Sequence, residues 1–199
     1  MTRLALVRHG QTDWNLARRI QGTSDIPLNE TGRAQARAAG LLLARRRWDS
    51  VWASPLSRAF ETAGIIAAEN GLGEPGVLEG VAERAYGKAE GLTSDEILER
   101  FPEGAVIEGQ ETRAEVVERA LPALVELAEA HPGESLVVVS HGGVIGSLVR
   151  HVTEHALPGP GQLIANGSVH DFLYEHGVMR LDRFNQSPDD HDLITAAVQ

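Results

Sequence analysis

The chain opens on Leu4-Ala5-Leu6-Val7, an apolar run that stops abruptly at Arg8-His9-Gly10. A short continuous apolar run bounded by a glycine loop is the pattern of a strand buried on both faces. The pattern recurs. Asp49–Ala53 predicts a second strand, followed by the loop Ser54-Pro55, and Val77–Leu78 predicts a short third. Ser135–Val139 is the clearest, ending at Ser140-His141-Gly142-Gly143. Between these runs the period changes to that of a helix. Asn29-Glu30-Thr31-Gly32 opens one that runs to about Arg47, with Ala34, Ala38, Leu41 and Leu42 on one side. A second helix is expected from about Leu56 to Asn70. Thr112–Ala130 sets Val117, Leu121, Leu124, Val125 and Ala128 at helical spacing, and Pro122 inside it is expected to bend or divide it. Val144–His151 continues as a helix. Ser168–Tyr174 and Val178–Phe184 read as a hairpin around Glu175-His176-Gly177. Residues 80–110 carry few large apolar side chains and read as a lid-like set of loops around a short helix near Thr93–Arg100. The last fifteen residues, 185–199, have no period and are expected to form a loose tail.

Strands alternating with helices predict an α/β fold with a mostly parallel sheet, to which the last hairpin adds antiparallel character. No repeat or linker interrupts the pattern, so residues 1–199 read as one domain. In such sheets ligands bind where strand ends deliver polar loops, and two of these strands end in His-Gly.

Composition then narrows the chemistry. A 199-residue chain is long enough to bury about 70% of its unfolded surface without a metal or disulfide staple. It has no cysteine, which excludes disulfides, thiolate zinc sites, iron–sulfur clusters and a cysteine nucleophile. The formal net charge is −10. That argues against nucleic acid or an anionic membrane surface as partners, and leaves an anionic substrate only where positive charge is locally concentrated. There is no signal-peptide pattern and no apolar run long enough to span a membrane, so a cytoplasmic protein is expected.

Arg8-His9-Gly10-Gln11-Thr12 supplies an imidazole on a strand end, an arginine beside it and a glycine that permits close approach of a ligand. Alone it is also compatible with an ordinary surface loop. The rest of the chain changes the reading. Val7 to Asn15, Gln21 to Gly32, Ser54-Pro55-Leu56-Ser57-Arg58-Ala59 with Thr62-Ala63, and Glu83-Arg84-Ala85-Tyr86-Gly87 with Glu90-Gly91 form four blocks. Gly109-Gln110-Glu111-Thr112 and Val139-Ser140-His141-Gly142-Gly143-Val144-Ile145 follow. In this order they resemble the histidine phosphatase superfamily, which includes the cofactor-dependent phosphoglycerate mutases. The fifth block departs from the usual Gly-Gly-Glu-Ser but keeps the glutamate.

The resemblance implies a phosphoglycerate mutase-like three-layer sandwich and a set of roles. His9 matches the histidine that attacks phosphorus; a neutral imidazole has its lone pair available without a dedicated base. Arg8 and Arg58 match the clamp on the phosphoryl oxygens, for which the arginine fork is suited. Asn15 resembles a neutral donor completing the pocket, and His141 a further donor to phosphate. Glu83 matches the general acid, worth typically about 10²–10⁴-fold. Gln21 and Gly22 lie where the family loop approaches substrate. Arg84 and Tyr86 flank the acid and could touch the substrate's remote part, while Gly142 could offer a backbone amide. Trp14 reads as packing.

Other signals carry less. His151-Val152-Thr153-Glu154-His155 fits a zinc-peptidase spacing, but the helix is short and no third ligand is evident. Arg45-Arg46-Arg47 reads as cations at a helix end, complementing its dipole. The expected function is a metal-independent phosphomonoester hydrolase acting through phosphohistidine on a small phosphorylated metabolite, with no cofactor. A 2,3-bisphosphoglycerate-dependent mutase is the alternative within the superfamily, and an inactive phosphometabolite-binding module the alternative outside it. Glu83-Arg84-Ala85-Tyr86-Gly87 leans to the mutases. The short segment after it, with only Arg100, Arg113 and Arg119 as cations between Gly91 and Glu134, leans to phosphatases. A homodimer is left open.

Overall fold

The computed structural model describes residues 1–187. Its strands are β1 (Thr2–Arg8), β2 (Ser50–Ala53), β3 (Gly76–Val77), β4 (Ser135–Ser140), β5 (Val169–Glu175) and β6 (Val178–Gln186). They form one sheet in the order β3-β2-β4-β1-β5-β6. The pairings from β3 to β1 are parallel, and β5 and β6 add an antiparallel edge. The helices are α1 (Asp13–Leu16), α2 (Glu30–Leu43), α3 (Ser57–Glu69), α4 (Ser94–Arg100), α5 (Arg113–Ala130) and α6 (Gly142–Val152). The fold is the expected α/β sandwich. Of the tail expected over 185–199, Asn185 and Gln186 complete β6; residues 188–199 lie outside the described residues.

The alternation within the apolar runs separates the two faces of the sheet. Leu4, Leu6, Leu136 and Val138 face α5 and α6, in a core with Val116, Leu124, Ile145, Leu148 and Phe172. Ala5, Val7, Val137 and Val139 face α2 and α3, in a core with Ala39, Leu43, Ala59, Ala63 and Ile66. The chain winds outward from β1 through α2 to β2 and β3, then returns through α5 to insert β4 between β2 and β1. The winding direction reverses between β1 and β4, the position where open α/β sheets form a crevice at their carboxyl ends.

Helix boundaries follow capping chemistry. The Asn29 side chain accepts from Gly32 N–H at 2.9 Å and starts α2. Thr93 with Glu96 and Thr112 with Glu115 are reciprocal capping boxes that start α4 and α5. A third, Thr12 with Asn15, starts the one-turn α1, which hydrophobic periodicity alone does not predict.

Three expectations need correction. First, α2 ends at Leu43 rather than near Arg47, and its buried residues are Gly32, Ala36, Ala39, Gly40 and Leu43; Leu41 is exposed. Small residues face α3 because the two helices approach closely: a Cβ on Gly40 would lie 2.9 Å from Glu69 Cβ. Arg45–Arg47 therefore lie beyond the helix, and Arg46 turns inward to pair with buried Asp171. Second, Pro122 does not divide α5, which runs unbroken over eighteen residues with Pro122 on its exposed side. There the lost N–H faces water and the flanking turns pack on the core. Third, the buried stripe of α5 is Val116, Ala120, Leu124, Leu127 and Ala128; of the expected Val117, Leu121, Leu124, Val125 and Ala128, Leu124 and Ala128 are buried and the other three only partly so.

Gly10 and Gly32 interlock. A Cβ on Gly10 would lie 2.1 Å from the Gly32 carbonyl oxygen, and one on Gly32 would lie 2.1 Å from the Gln11 carbonyl oxygen. Gly64 in α3, by contrast, faces open space. Gly32→Ala should cost about 1–3 kcal/mol or more through overpacking against backbone. That corresponds to a drop of several degrees, at about 2–4 °C per kcal/mol for a chain this size. Gly64→Ala should gain about 0.5–1 kcal/mol. Thermal melts of the two variants check this; equal melting temperatures would refute the interlock.

Candidate active site

Strand register assembles the site. In the parallel β1–β4 pair, Val7 lies beside Val139 and Arg8 beside Ser140. His9 and His141 therefore leave the sheet side by side, with His9 N–H donating to the Ser140 carbonyl at 3.0 Å. Their ring centroids are 5.1 Å apart. Ala53 pairs with Val139, which sets Ser54 at the same level, and its hydroxyl lies 2.7 Å from His141 Nε2. A cavity of about 390 Å³ opens above these strand ends, lined by Arg8, His9, Asn15, Gln21, Gly22, Glu83, Tyr86 and Gly142 among others.

His9 Nδ1 lies 2.6 Å from the Gly10 carbonyl oxygen. A carbonyl only accepts, so Nδ1 carries the hydrogen and the neutral ring keeps its lone pair on Nε2. Burial, with the cations Arg8 and Arg58, pushes the His9 pKa well below its ordinary value. His9 is thus an unprotonated imidazole at neutral pH. His141 is lowered in the same way, by burial and then by His9, Arg58 and Arg8.

The two arginines are held by backbone rather than by carboxylates. Arg8 donates to the Ile164 carbonyl at 2.5 Å, and fully buried Arg58 donates to the Ser24 and Gly22 carbonyls, each at 2.8 Å. Arg8 Nε, Arg58 Nε and His141 Nδ1 are buried and have no hydrogen-bond partner within the protein. Buried polar atoms without partners are costly, so three of them beside His9, two being arginine N–H donors whatever the tautomer of His141, define a site shaped for an oxyanion. The first turn of α6 points its N–H groups to the same place, and the N-cap His141 makes no side-chain cap.

The Glu83 carboxyl sits on that turn. It accepts from Arg84 N–H at 2.8 Å and from Gly143 N–H at 3.4 Å. Desolvation raises its pKa above the ordinary carboxyl value, against the opposing effect of those N–H groups and of Arg58 and Arg8. Asn15 Oδ1 accepts from Thr12 N–H and from Asn166 Nδ2, both at 3.2 Å, which turns the Asn15 amide nitrogen away from these contacts. Gln21 is anchored in the same way, its Oε1 2.9 Å from the Thr12 hydroxyl.

The structure thus brings His9, Arg8, Arg58, His141, Glu83, Asn15, Gln21, Gly22, Tyr86 and Gly142 together, with Arg58 and His141 forming the buried base. Arg84 is placed differently. Its Nε donates to the Glu111 carbonyl at 2.6 Å and its guanidinium stacks 4.9 Å from the Tyr86 ring centroid, outside the cavity lining. Trp14 is half-buried, its ring beside Gly91 and outside both cores. The His151–His155 segment is not one helical face: α6 ends at Val152, and Glu154 and His155 take left-handed backbone conformations. Among the described residues no three imidazole or carboxylate groups converge as a metal-ligand set.

Several residues with a part in the site carried no sequence signal of it. Arg119 on α5 donates to Glu111 at 2.8 and 2.9 Å and to the Gly80, Ala82 and Glu83 carbonyls, so it fixes the loop that carries Glu83. Glu90 accepts from Thr23, Ser24 and Tyr86 backbone N–H groups, joining two loops across the cavity mouth. Arg113 and Arg150 line the outer cavity wall. Of these, Glu111 and Glu90 stood in quoted motifs, without a role assigned to either.

The sequence profile described as histidine phosphatase superfamily (branch 1) matches residues 4–187. The chain belongs to this superfamily. An uncharacterized phosphatase, PhoE, of Bacillus subtilis (strain 168) is 40% identical over 154 residues, covering 77% of this chain and 78% of the relative. A metal-independent phosphoserine phosphatase of Arabidopsis thaliana is 34% identical over 171 residues, covering 80% and 72%. Among solved structures, a mycobacterial glucosyl-3-phosphoglycerate phosphatase in complex with VO3 superposes with a TM-score of 0.82 at 32% identity, covering 93% of this chain and 99% of that one. Phosphoglycerate mutases are also among the relatives. The protein is an enzyme of the histidine phosphatase type.

A raised carboxyl pKa means that the folded state binds the proton more tightly than the unfolded chain does. The stability Glu83 contributes is then full below the ordinary carboxyl pKa and is lost as pH rises through the folded-state value. Glu83→Gln mimics the protonated form. The melting-temperature difference, variant minus parent, should therefore rise between pH 4 and pH 8, with the parent losing ground. A flat difference over that range would show that desolvation does not dominate at Glu83.

Proposed function

We propose that the protein hydrolyses a small phosphomonoester through a phosphohistidine, without a metal. The observation that carries this reading is the tautomer of His9: its Nδ1 hydrogen is committed to Gly10, so its lone pair is on Nε2, beside the unpaired N–H groups of Arg8 and Arg58. In the first step Nε2 bonds to phosphorus as the bond to the leaving oxygen breaks, and Glu83 gives that oxygen its proton. In the second, the Glu83 carboxylate takes a proton from water as the water oxygen attacks phosphorus and the P–N bond breaks. Arg8, Arg58, His141 and the first turn of α6 bind the negative charge that spreads over the phosphoryl oxygens in both steps. Asn15, Gln21, Gly22, Tyr86 and Gly142 complete the substrate contacts. The phosphatases among the relatives support hydrolysis, and the name of the plant relative supports independence from metal. The substrate is a small phosphorylated metabolite; among the described residues no helix is long and apolar enough to cross a membrane.

The mutase alternative has one specific observation in its favour. The outer cavity holds Arg113 and Arg150, more positive charge than the short segment after Glu83 suggests on its own. The two activities separate on one purified sample. Phosphate release from small phosphomonoesters is expected to dominate, with 2-/3-phosphoglycerate interconversion weak even with 2,3-bisphosphoglycerate present. Interconversion faster by about a hundredfold, or some 2.7 kcal/mol in barrier, would overturn the hydrolase reading. His9→Ala should abolish turnover and remove the acid-labile phosphate that a quench traps on the parent. EDTA should leave the rate unchanged; loss of activity restored by zinc would overturn metal independence.

A further inference from the structure

The outer half of the cavity contains arginines that phosphoryl transfer does not use. Gly142, Gly146 and Arg150 recur at every fourth residue of α6 and share one face of it. That face runs from the phosphoryl end of the site, at Gly142, outward for about 12 Å of helix axis. An arginine on a helix reaches back toward the N-terminus, so Arg150 leans along this floor toward the reaction centre. Arg113, the first residue of α5, meets it from the other side. Its guanidinium lies 3.9 Å from where a Cβ on Gly146 would stand and 3.5 Å from Ser147 Oγ. Both arginines line the cavity that contains His9 and Glu83.

Among the described residues neither arginine has a carboxylate within salt-bridge distance, although Glu118 lines the adjoining groove with them. Arg19, the remaining cation of the cavity wall, is already paired with Glu96 at 3.0 Å. The positive groups also crowd one another. Arg113 is exposed at the cavity rim; partial desolvation and the neighbouring Arg84 and Arg150 lower its pKa, while Tyr86 and Glu83 oppose this. Unpaired like charges held together are unfavourable, and an anion between them relieves that cost. Pro158, Leu163 and Ile164 line the same cavity, so the space between its two ends suits a short carbon chain.

We propose that Arg113 and Arg150 form a second oxyanion subsite, so that the preferred substrate carries, besides the transferred phosphoryl group, a carboxylate or second phosphoryl group at its far end. This rests on the phosphomonoester reading of the cavity, and the test is therefore a binding measurement that needs no turnover. Phosphonates, whose P–C bond the enzyme does not cleave, are titrated calorimetrically in three series of two to five carbons: alkylphosphonates, ω-phosphonocarboxylates and α,ω-bisphosphonates. At least one chain length should bind about tenfold or more tightly when its far end is anionic, the gain of one charge-assisted contact. Preference for the carboxylate series or for the bisphosphonate series identifies which oxyanion is meant. In Arg113→Gln and Arg150→Gln, with thermal melts confirming that each variant is folded, that advantage should shrink to within about threefold of the plain alkylphosphonate. An advantage absent at every chain length, an advantage that survives in both variants, or no phosphonate binding at all would overturn the subsite. If the advantage is present but no phosphomonoester is hydrolysed, the hydrolase reading fails and the subsite stands.

Discussion

The site depends on how its two central cations are held. Arg8 and Arg58 are withdrawn from water, yet their immediate partners are the carbonyls of Ile164, Ser24 and Gly22 rather than carboxylates. A carbonyl dipole offsets part of the desolvation cost of a guanidinium without cancelling its charge. A carboxylate in the same place would have closed the fork and neutralised the field. Burial above all keeps His9 and His141 unprotonated, the surviving arginine charge adds to that effect, and a protein of net charge −10 keeps a local region of positive potential. Each arginine keeps a buried Nε that its own fold leaves unsatisfied.

Glu83 is governed by the opposite balance. Removal of water favours its protonated form, whereas the surrounding cations and N–H groups favour the carboxylate. A group held between such influences can give up a proton and take one back, as two-step transfer through a histidine requires. Its placement is indirect: Arg119 on α5 grips Glu111 and three carbonyls of the 80–83 loop, so the position of the acid is set by a helix packed on the sheet. The sheet positions the nucleophile, and a helix-anchored loop positions the acid.

How much of this was legible in the sequence depends on whether the determinant was local. The strands were legible because four or five apolar residues in a row have few other uses, and the reaction centre was legible because its residues sit in compact blocks that resemble those of the superfamily. Helix faces were less so. Leu41 outranks Ala36 and Ala39 in hydrophobicity, but the close α2–α3 contact selects for size, so Leu41 faces water and Leu42 only flanks the core. Pro122 does not divide α5: a proline costs a helix bond and crowds the preceding turn on either face, but the flanking turns are held by their packing on the core. Arg119, Arg113 and Arg150 act through contacts between segments far apart in the chain, which no period or short motif encodes; Glu90 stood in the fourth block, but its contacts to Thr23 and Ser24 across the cavity mouth did not show there. Arg84 shows the converse: its place beside Glu83 in the sequence suggested substrate, while an open carbonyl at Glu111 claimed its side chain.

The Gly10–Gly32 interlock bears on how this protein can change over time. Each glycine is confronted by main-chain atoms of the segment that holds the other, so no side-chain exchange at a third position can relieve a methyl group added at either. Ordinary core positions drift because a neighbour can shrink when a residue grows; here there is no neighbour to adjust. The loop bearing His9 and the first turn of α2 are therefore bound to a shared history. A solvent-facing side chain at the cavity mouth can change alone, whereas Gly10 and Gly32 stay glycine for as long as their two segments keep this contact.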